Sequence, residues 1–288
     1  MARDGQLAVL FPGQGSQTRG MRELVARLRP DLLELAPAIV GEDPFALVEE
    51  GTRFAQPAIF CAALAGWDDL KTELRPDFLA GHSLGELTAL AAAGALSDAD
   101  ALRLVAARGR LMQEAQEAGG DGGMLAVGAS IGDVGELAAR HDLAVANDNS
   151  PEQVVLSGPE AGLEAAVAEL QERGVRAKRL RVRGAFHSPA MESALPRFRS
   201  VLDEVEVREP QVPVFSCVTA EPFDDPRERL AQALTSPVRW LDVLRALRAR
   251  GVERFVETGP GRVLTGLVRH SLDGVEAEAP VRLEPAHA

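Results

Sequence analysis

The amino-acid sequence predicts an α/β protein with a mainly parallel sheet and a smaller inserted subdomain. Two observations support this. Short apolar runs alternate with longer helical patterns over most of the chain, as in strands joined by crossover helices. The middle of the chain has a different pattern, in which the elements follow the order β-α-β-β-α-β. That order is typical of a ferredoxin-like unit.

Clear boundary signals define the elements of the larger part. The first apolar run ends at Pro12-Gly13, and Ser97 with Asp100 resembles the capping box that begins a helix. A late run is closed by Gly259-Pro260-Gly261. In chain order we expect strands over Leu7–Phe11, Phe78–Ala80 and Arg254–Val256, and helices over Leu84–Leu96, from Ser97 to about Ala118, and from about Arg262.

The inserted part lies between two glycine-containing segments, at positions 119–123 and at Gly184. Its expected strands are Met124–Ala129, Leu143–Asn147, Gln153–Ser157 and Val175–Val182, and its expected helices are Ile131–Arg140 and Pro159–Arg173. We therefore predict a small ferredoxin-like subdomain over residues 121–184. The large α/β domain would then comprise residues 1–120 and 185–288.

Composition excludes several classes of protein. Apolar residues make up 46% of the 288 positions, enough for a folded core. The net charge of −12 argues against nucleic-acid binding, which favours a basic surface. No apolar run reaches the roughly 18 residues of a membrane span, and the N-terminus has no secretory pattern. Cys61 and Cys217 lie in apolar surroundings as expected for reduced core residues, so we expect a soluble cytoplasmic protein.

The sequence Gly81-His82-Ser83-Leu84-Gly85 lies between a predicted strand and a predicted helix. A G-x-S-x-G sequence in that context is typical of a nucleophile elbow, a tight turn that exposes a serine hydroxyl. The following helix directs its free amides and the positive end of its dipole at the site. Ser83 is therefore a candidate nucleophile, and the large domain is predicted to be α/β-hydrolase-like.

Arg108 lies on the apolar face of its predicted helix. At 100° per residue it falls about 40° from Leu104, whereas Arg103 and Arg110 fall on the opposite, solvent side. A buried guanidinium needs an anionic partner. Two interpretations remain open, an internal salt bridge and a clamp for a substrate carboxylate.

His187 lies in the segment where the small subdomain would rejoin the large domain, and clefts often form at such junctions. The other histidines are inside the elbow, in the C-terminal tail or near expected helix ends. No metal-site spacing is present, and Gly13-Gln14-Gly15-Ser16 lacks the Gly-Lys of a P-loop. We expect no metal and no cofactor.

Taken together, six segments resemble the malonyl-CoA:acyl carrier protein transacylase family, nearly from end to end. They occur in the family's order: Phe11-Pro12-Gly13-Gln14-Gly15-Ser16-Gln17, Gly81-His82-Ser83-Leu84-Gly85-Glu86, Arg108-Gly109 with Met112-Gln113, Gly184-Ala185-Phe186-His187-Ser188-Pro189, Pro237-Val238-Arg239-Trp240, and Glu257-Thr258-Gly259-Pro260-Gly261. One departure is a short stretch between about Pro30 and Gly51, away from these segments.

The resemblance implies a role for each matching residue. Ser83 would be the nucleophile and His187 its base. The backbone amides of Gln14 and Leu84 would form the oxyanion hole, and the main-chain carbonyl of Arg239 would orient the histidine. Substrate would be bound by three further side chains, those of Arg108, Met112 and Phe186.

The function implied is transfer of a malonyl group from malonyl-CoA to the phosphopantetheine thiol of acyl carrier protein through a malonyl-serine intermediate. A chain of this length favours fatty acid synthesis, with a discrete polyketide synthase acyltransferase as an alternative. A serine hydrolase of acyl thioesters is a further alternative, although it would give Arg108 no purpose. We expect a monomer that binds neither nucleic acid nor membrane.

A run of six basic residues leads into His187. In an acidic protein such a strip fits either the phosphates of coenzyme A or an acidic carrier protein. It also fits a solvated edge strand, where charge discourages aggregation. The residues are Arg173, Arg176, Lys178, Arg179, Arg181 and Arg183.

Overall fold

The structure, a computed structural model, describes residues 5–280. The strands are β1 Gln6–Phe11, β2 Phe78–Gly81, β3 Gly122–Val127, β4 Ala144–Ser150, β5 Gln153–Pro159, β6 Ala177–Arg179, β7 Val214–Phe215, β8 Val252–Glu257 and β9 Glu276–Glu278. The helices are α1 Met21–Leu28, α2 Pro30–Val40, α3 Thr52–Leu70, α4 Gly85–Ala92, α5 Asp98–Gly119, α6 Ile131–Arg140, α7 Glu160–Glu172, α8 Leu195–Asp203, α9 Pro226–Gln232, α10 Trp240–Ala249 and α11 Val263–Ser271, with a 3₁₀ turn at Pro189–Ala194.

Strand β1 lies at the centre of a five-stranded sheet in the order β7-β2-β1-β8-β9. Every neighbouring pair in this sheet is parallel. Because successive side chains of a strand point to opposite faces, Val9 and Phe11 join one core cluster while Ala8 and Leu10 join another. Both faces of the sheet are therefore buried, as is usual for parallel strands.

A second, antiparallel sheet has the order β4-β5-β3-β6. Its elements follow one another as β3-α6-β4-β5-α7-β6, and helices α6 and α7 pack their buried leucines against Leu125 and Leu156. Together the two sheets confirm the predicted fold class, a mainly parallel α/β unit with a ferredoxin-like insertion. The domain boundaries at residues 121 and 184 stay a prediction.

Most elements that the sequence predicted are present, with shifted ends. Helix α6 has the predicted bounds, and Ser97 caps α5 by accepting a hydrogen bond from the amide of Asp100. Helix α4 ends at Ala92 rather than Leu96, because the chain turns at Gly94 with φ +74°. Strands β7 and β9 and six of the helices, α1 to α3 and α8 to α10, were not predicted.

The parallel strands direct their carboxyl ends to one edge of the sheet, where ligands of such folds bind. The loop after β1 meets the loop after β2 there. A Cβ atom on Gly13 would lie 2.5 Å from the carbonyl oxygen of His82, so only glycine allows this approach. The loop after β8 joins them, with Gly261 packed against Ser16. No helix within residues 5–280 has the length and apolarity needed to span a membrane.

Candidate active site

Ser83 lies at the turn between β2 and α4, with φ +55°. This left-handed conformation costs a non-glycine residue about 1–2 kcal/mol, and the flanking glycines allow the turn that holds it. A Cβ on Gly81 would overlap the backbone of Gly85, and one on Gly85 would lie 2.1 Å from the carbonyl oxygen of Phe11. The structure therefore gives the G-x-S-x-G segment the geometry of a nucleophile elbow.

His187 meets this serine from a distant part of the chain. Its Nε2 atom is 2.7 Å from Ser83 Oγ. Its Nδ1 atom is 2.8 Å from the carbonyl oxygen of Ala233 and 3.3 Å from that of Ser236. Since carbonyl oxygens only accept hydrogen bonds, Nδ1 carries the hydrogen and Nε2 presents a lone pair to the serine hydroxyl. This is the tautomer that a general base requires.

The surroundings of His187 favour its neutral form. Burial, the positive charge of Arg108 and the nearby His82 lower its pKa to about 3. The imidazole is 4% exposed, and no carboxylate within residues 5–280 forms an ion pair with it. Two carbonyl oxygens take the place that an acid occupies in a Ser-His-Asp triad.

The predicted orienting group, the carbonyl of Arg239, is not the partner of His187 in this structure. That carbonyl accepts a hydrogen bond from the amide of Val243, because Arg239 is the N-cap residue of α10. The segment just before it supplies the two carbonyls instead. The carbonyl groups that face His187 Nδ1 thus lie three and six residues before the predicted one.

Arg108 lies on the buried face of α5, as the helical pattern predicted, and is 4% exposed. Its Nη1 donates to Gln56 Oε1 at 2.8 Å, and its Nη2 donates to Ser83 Oγ at 3.0 Å. Burial lowers its pKa to about 10, and the negative charge of Glu86 partly offsets this. The guanidinium is therefore charged at neutral pH. None of the carboxylates described in the structure pairs with it within 4 Å, which disfavours an internal salt bridge.

Two backbone amides near Ser83 are free to bind an anion. The amides of Gln14 and Leu84 donate no hydrogen bond to any residue within 5–280. Leu84 lies at the N-terminus of α4, where the helix dipole favours negative charge. Gln14 follows Gly13, whose backbone abuts the elbow. The positions suit an oxyanion hole, a role that stays a prediction.

The two remaining predicted residues are buried close to these groups. Met112, one turn beyond Arg108 on α5, places its sulfur 3.5 Å from Gln56 Nε2. Phe186, directly before His187, is 5% exposed and packs against Gly184. Their role in binding the acyl group stays a prediction.

Sequence reasoning missed four polar residues of the site. Thr52 and Gln56 lie one turn apart at the start of α3, and Gln56 is 1% exposed. Asn149 Oδ1, on β4, accepts a hydrogen bond from His82 Nε2 at 2.9 Å. The one available signal was the polar Gln56, directly before the apolar run Pro57–Gly66 of α3.

Glu86 is the fourth missed residue, although it follows the elbow directly. One carboxylate oxygen accepts from the amide of Cys217 at 2.7 Å, and the other has no partner within residues 5–280. Burial raises its pKa to about 7. Its carboxylate balances part of the charge of Arg108 and ties the elbow to the segment after β7.

Comparison with known proteins agrees with this geometry. A family model described as acyl transferase domain matches residues 9–286. The malonyl CoA-acyl carrier protein transacylase of Bacillus subtilis is 39% identical over 92% of this chain and 90% of that protein. The polyketide biosynthesis protein ThaF of Burkholderia thailandensis is 42% identical over 92% of this chain. This chain spans only 24% of that longer protein.

Solved structures give the same result. The crystal structure of malonyl-CoA:acyl carrier protein transacylase from Xanthomonas oryzae superimposes with a TM-score of 0.89. It is 37% identical in sequence, and the match covers 96% of each chain.

Proposed function

Because this chain belongs to the family of acyl transferase domains, we propose that it transfers a malonyl group from malonyl-CoA to the phosphopantetheine thiol of acyl carrier protein. The intermediate is a malonyl ester of Ser83. The transfer takes place in the cytoplasm, on a monomer.

The observation that supports a malonyl group is the state of Arg108. Its buried guanidinium lies 3.0 Å from the nucleophile and pairs with no carboxylate among the residues described. A substrate carboxylate two bonds from the reacting carbonyl supplies that anion. A hydrolase of simple acyl thioesters would leave the charge unpaired, at a cost in stability with no return in binding.

In the first half of the reaction His187 Nε2 accepts the proton of Ser83 Oγ as the oxygen bonds to the thioester carbonyl carbon. The amides of Gln14 and Leu84 donate to the oxygen that becomes negative. The carbon–sulfur bond then breaks, and the thiolate of coenzyme A takes the proton from His187. Ser83 is left as the malonyl ester.

The second half repeats these steps in reverse with a different thiol. The phosphopantetheine thiol gives its proton to His187 and attacks the ester carbonyl. The bond to Ser83 Oγ breaks, and the serine recovers its proton from His187. Arg108 holds the malonyl carboxylate throughout. Its hydrogen bond to Ser83 Oγ is replaced by hydrogen bonds to that carboxylate when the substrate binds.

The basic strip supplies a surface for the phosphates. Arg173 and Arg179 are used in ion pairs with Glu169 and Glu160, whereas Arg181 and Arg183 are exposed and have no ion pair in the described part of the chain. These two line a cavity of about 690 Å³ that is also lined by Gln14. Four carboxylates, those of Glu49, Glu50, Glu117 and Asp121, line it as well, so the two arginines are the groups in its lining that would attract phosphates.

We place the reaction in fatty acid biosynthesis. A second candidate is supply of malonyl groups to a polyketide carrier, favoured by one relative of nearly full length. The polyketide biosynthesis malonyl CoA-acyl carrier protein transacylase of Bacillus velezensis is 37% identical, over 94% of this chain and 98% of that protein. Relative rates with a fatty acid and a polyketide carrier protein from the source organism distinguish the two.

The proposal is tested by the mass of the intact protein after brief incubation with malonyl-CoA or acetyl-CoA, before and after Arg108→Ala. We expect a malonyl adduct that Ser83→Ala abolishes and an acetyl adduct at least about 10⁴-fold slower to form. Arg108→Ala should remove this preference. Steady release of free malonate without transfer would identify a hydrolase, and equal acetyl labelling would contradict the role of Arg108.

A further inference from the structure

A chain of hydrogen bonds runs through the site from the carboxylate clamp to the loop after β1. Arg108 donates to Gln56 Oε1 at 2.8 Å, and Gln56 Nε2 donates to Thr52 Oγ1 at 2.9 Å. Thr52 Oγ1 then donates to Gln14 Oε1 at 2.7 Å. Each donation points away from the guanidinium, so its positive charge polarises every bond of the chain in the same sense.

Thr52 is the link on which this chain depends. A hydroxyl carries one hydrogen and can accept from a second group, and here both capacities are used. The residue is 5% exposed and begins α3, directly after Gly51. It is the one side chain on α3 that joins the buried amide of Gln56 to the loop containing Gln14.

Other hydrogen bonds close the turn around Gln14, among them one from the amide of Gly15 to Gln17 Oε1 at 2.8 Å, but within residues 5–280 none of these involves the Gln14 side chain. Ser16 Oγ donates to the carbonyl of Gly13 at 2.7 Å and closes the turn. Gly15 is exposed and has φ +103°. The side chain of Gln14 therefore depends on Thr52 for its position. Since the backbone amide of Gln14 is the proposed oxyanion donor, a tilt of this residue would move that amide away from the reacting oxygen.

We propose that Thr52 is a positioning residue that holds the Gln14 amide in the oxyanion hole and joins it to the Arg108 clamp. The inference rests on the proposed function for the identity of the substrate. It does not need that identity for its test, because the oxyanion hole acts on any electrophile at Ser83.

The test compares Thr52→Val, which keeps the shape and removes the hydroxyl, with Thr52→Ser, which keeps the hydroxyl. A small fluorophosphonate and malonyl-CoA serve as two probes of Ser83. Losing an oxyanion donor costs about 10²–10³ in rate, so a misplaced one should cost Thr52→Val about tenfold in both reactions. The KM for malonyl-CoA should change little, and Thr52→Ser should recover most of the rate.

Thr88→Val is the matched control, because the hydroxyl of Thr88 is buried with no partner among residues 5–280. It should react at the rate of the unmodified protein. Gln14→Ala should be as slow as Thr52→Val, and the double variant should be no slower than either, since both break the same link.

Two results would overturn the inference: Thr52→Val reacting at the original rate with the phosphonate, or Thr52→Ser being as slow as Thr52→Val. A protein that reacts with the phosphonate but not with malonyl-CoA would instead contradict the proposed function, and the phosphonate rates would still decide the role of Thr52.

Discussion

The two members of the Ser83–His187 pair reach their positions in different ways. Ser83 is fixed locally, by a strand, two glycines and a helix within a segment of the chain numbered 78–92. His187 is fixed by carbonyl groups almost fifty residues away, at Ala233 and Ser236. The nucleophile depends on the shape of its own backbone, whereas the base depends on how remote segments pack together.

This difference decides which substitutions each side tolerates. On the serine side, backbone atoms lie so close that a single methyl group has no room. On the histidine side the contacts are to carbonyl oxygens, which every residue possesses. We therefore expect small changes to disrupt the elbow, and side-chain changes at the half-buried Thr235 and Ser236 to have little effect.

The largest effect should come from Gly85→Ala. Its Cβ would lie 2.1 Å from the carbonyl oxygen of Phe11, in the middle of the sheet edge. We expect the free energy of unfolding to fall by about 3 kcal/mol, the upper end for overpacking, as measured by urea denaturation.

Gly135→Ala is the control for this substitution. It lies inside α6 with open space around its Cβ position, and the change should stabilise the protein by about 0.5–1 kcal/mol because alanine favours helix. Equal stability of the two variants would show that the close approach at the elbow can relax.

The histidine side predicts an unusual pH dependence. For an unperturbed histidine, with a pKa near 6.5, the neutral fraction at pH 5 would be only about one in 30. Because the pKa of His187 is lowered to about 3, its neutral form persists as pH falls and is lost only near that value. We expect kcat/KM for malonyl-CoA to fall less than about threefold between pH 7 and pH 5.

Glu86 lies directly after the elbow and does titrate near this range, since burial raises its pKa to about 7. The variant Glu86→Gln distinguishes the titration of Glu86 from that of His187. A loss at acid pH that disappears in this variant would belong to Glu86. A fall in kcat/KM centred near pH 6.5 that persists in this variant would contradict the lowered pKa of His187.

The smallest effect is expected for Ser236→Ala, which keeps the carbonyl that faces His187 Nδ1. The transfer rate should change by less than about twofold, as for substitutions that remove no contact. A tenfold loss in steady-state assays would show that the serine side chain, rather than the backbone, orients the base.

The sequence predicted the serine side from local pattern because everything that shapes it lies within one strand, one turn and one helix. Arg108 was placed on a buried face by helical periodicity alone. Position at the subdomain junction made His187 a candidate, and resemblance gave it a role. Its partner was assigned to Arg239 where the structure has Ala233 and Ser236. A carbonyl group is the same at every residue, so the sequence does not record which one is used.

The same limit explains the missed elements. Strands β7 and β9 have two and three residues, too short for a periodic signal, and are held by pairing with longer neighbours. Thr52 and Gln56 became interpretable only when α3 was packed against α5. Polar residues in an apolar helix show that a partner exists, and only the fold shows which one.

The backbone pairing of Val238 with strand β4 affects how chimeric proteins should be built. Val238 pairs with Asn147, and its amide and carbonyl hydrogen-bond to Ala146 and Asp148 of β4 at 2.8 and 2.9 Å. Val238 is thus an added strand position on the antiparallel sheet, two residues beyond a carbonyl that faces His187. If residues 121–184 were exchanged between relatives, β4 would come from one protein and Val238 from the other. Grafts that also transfer residues 233–238 should preserve the pairing.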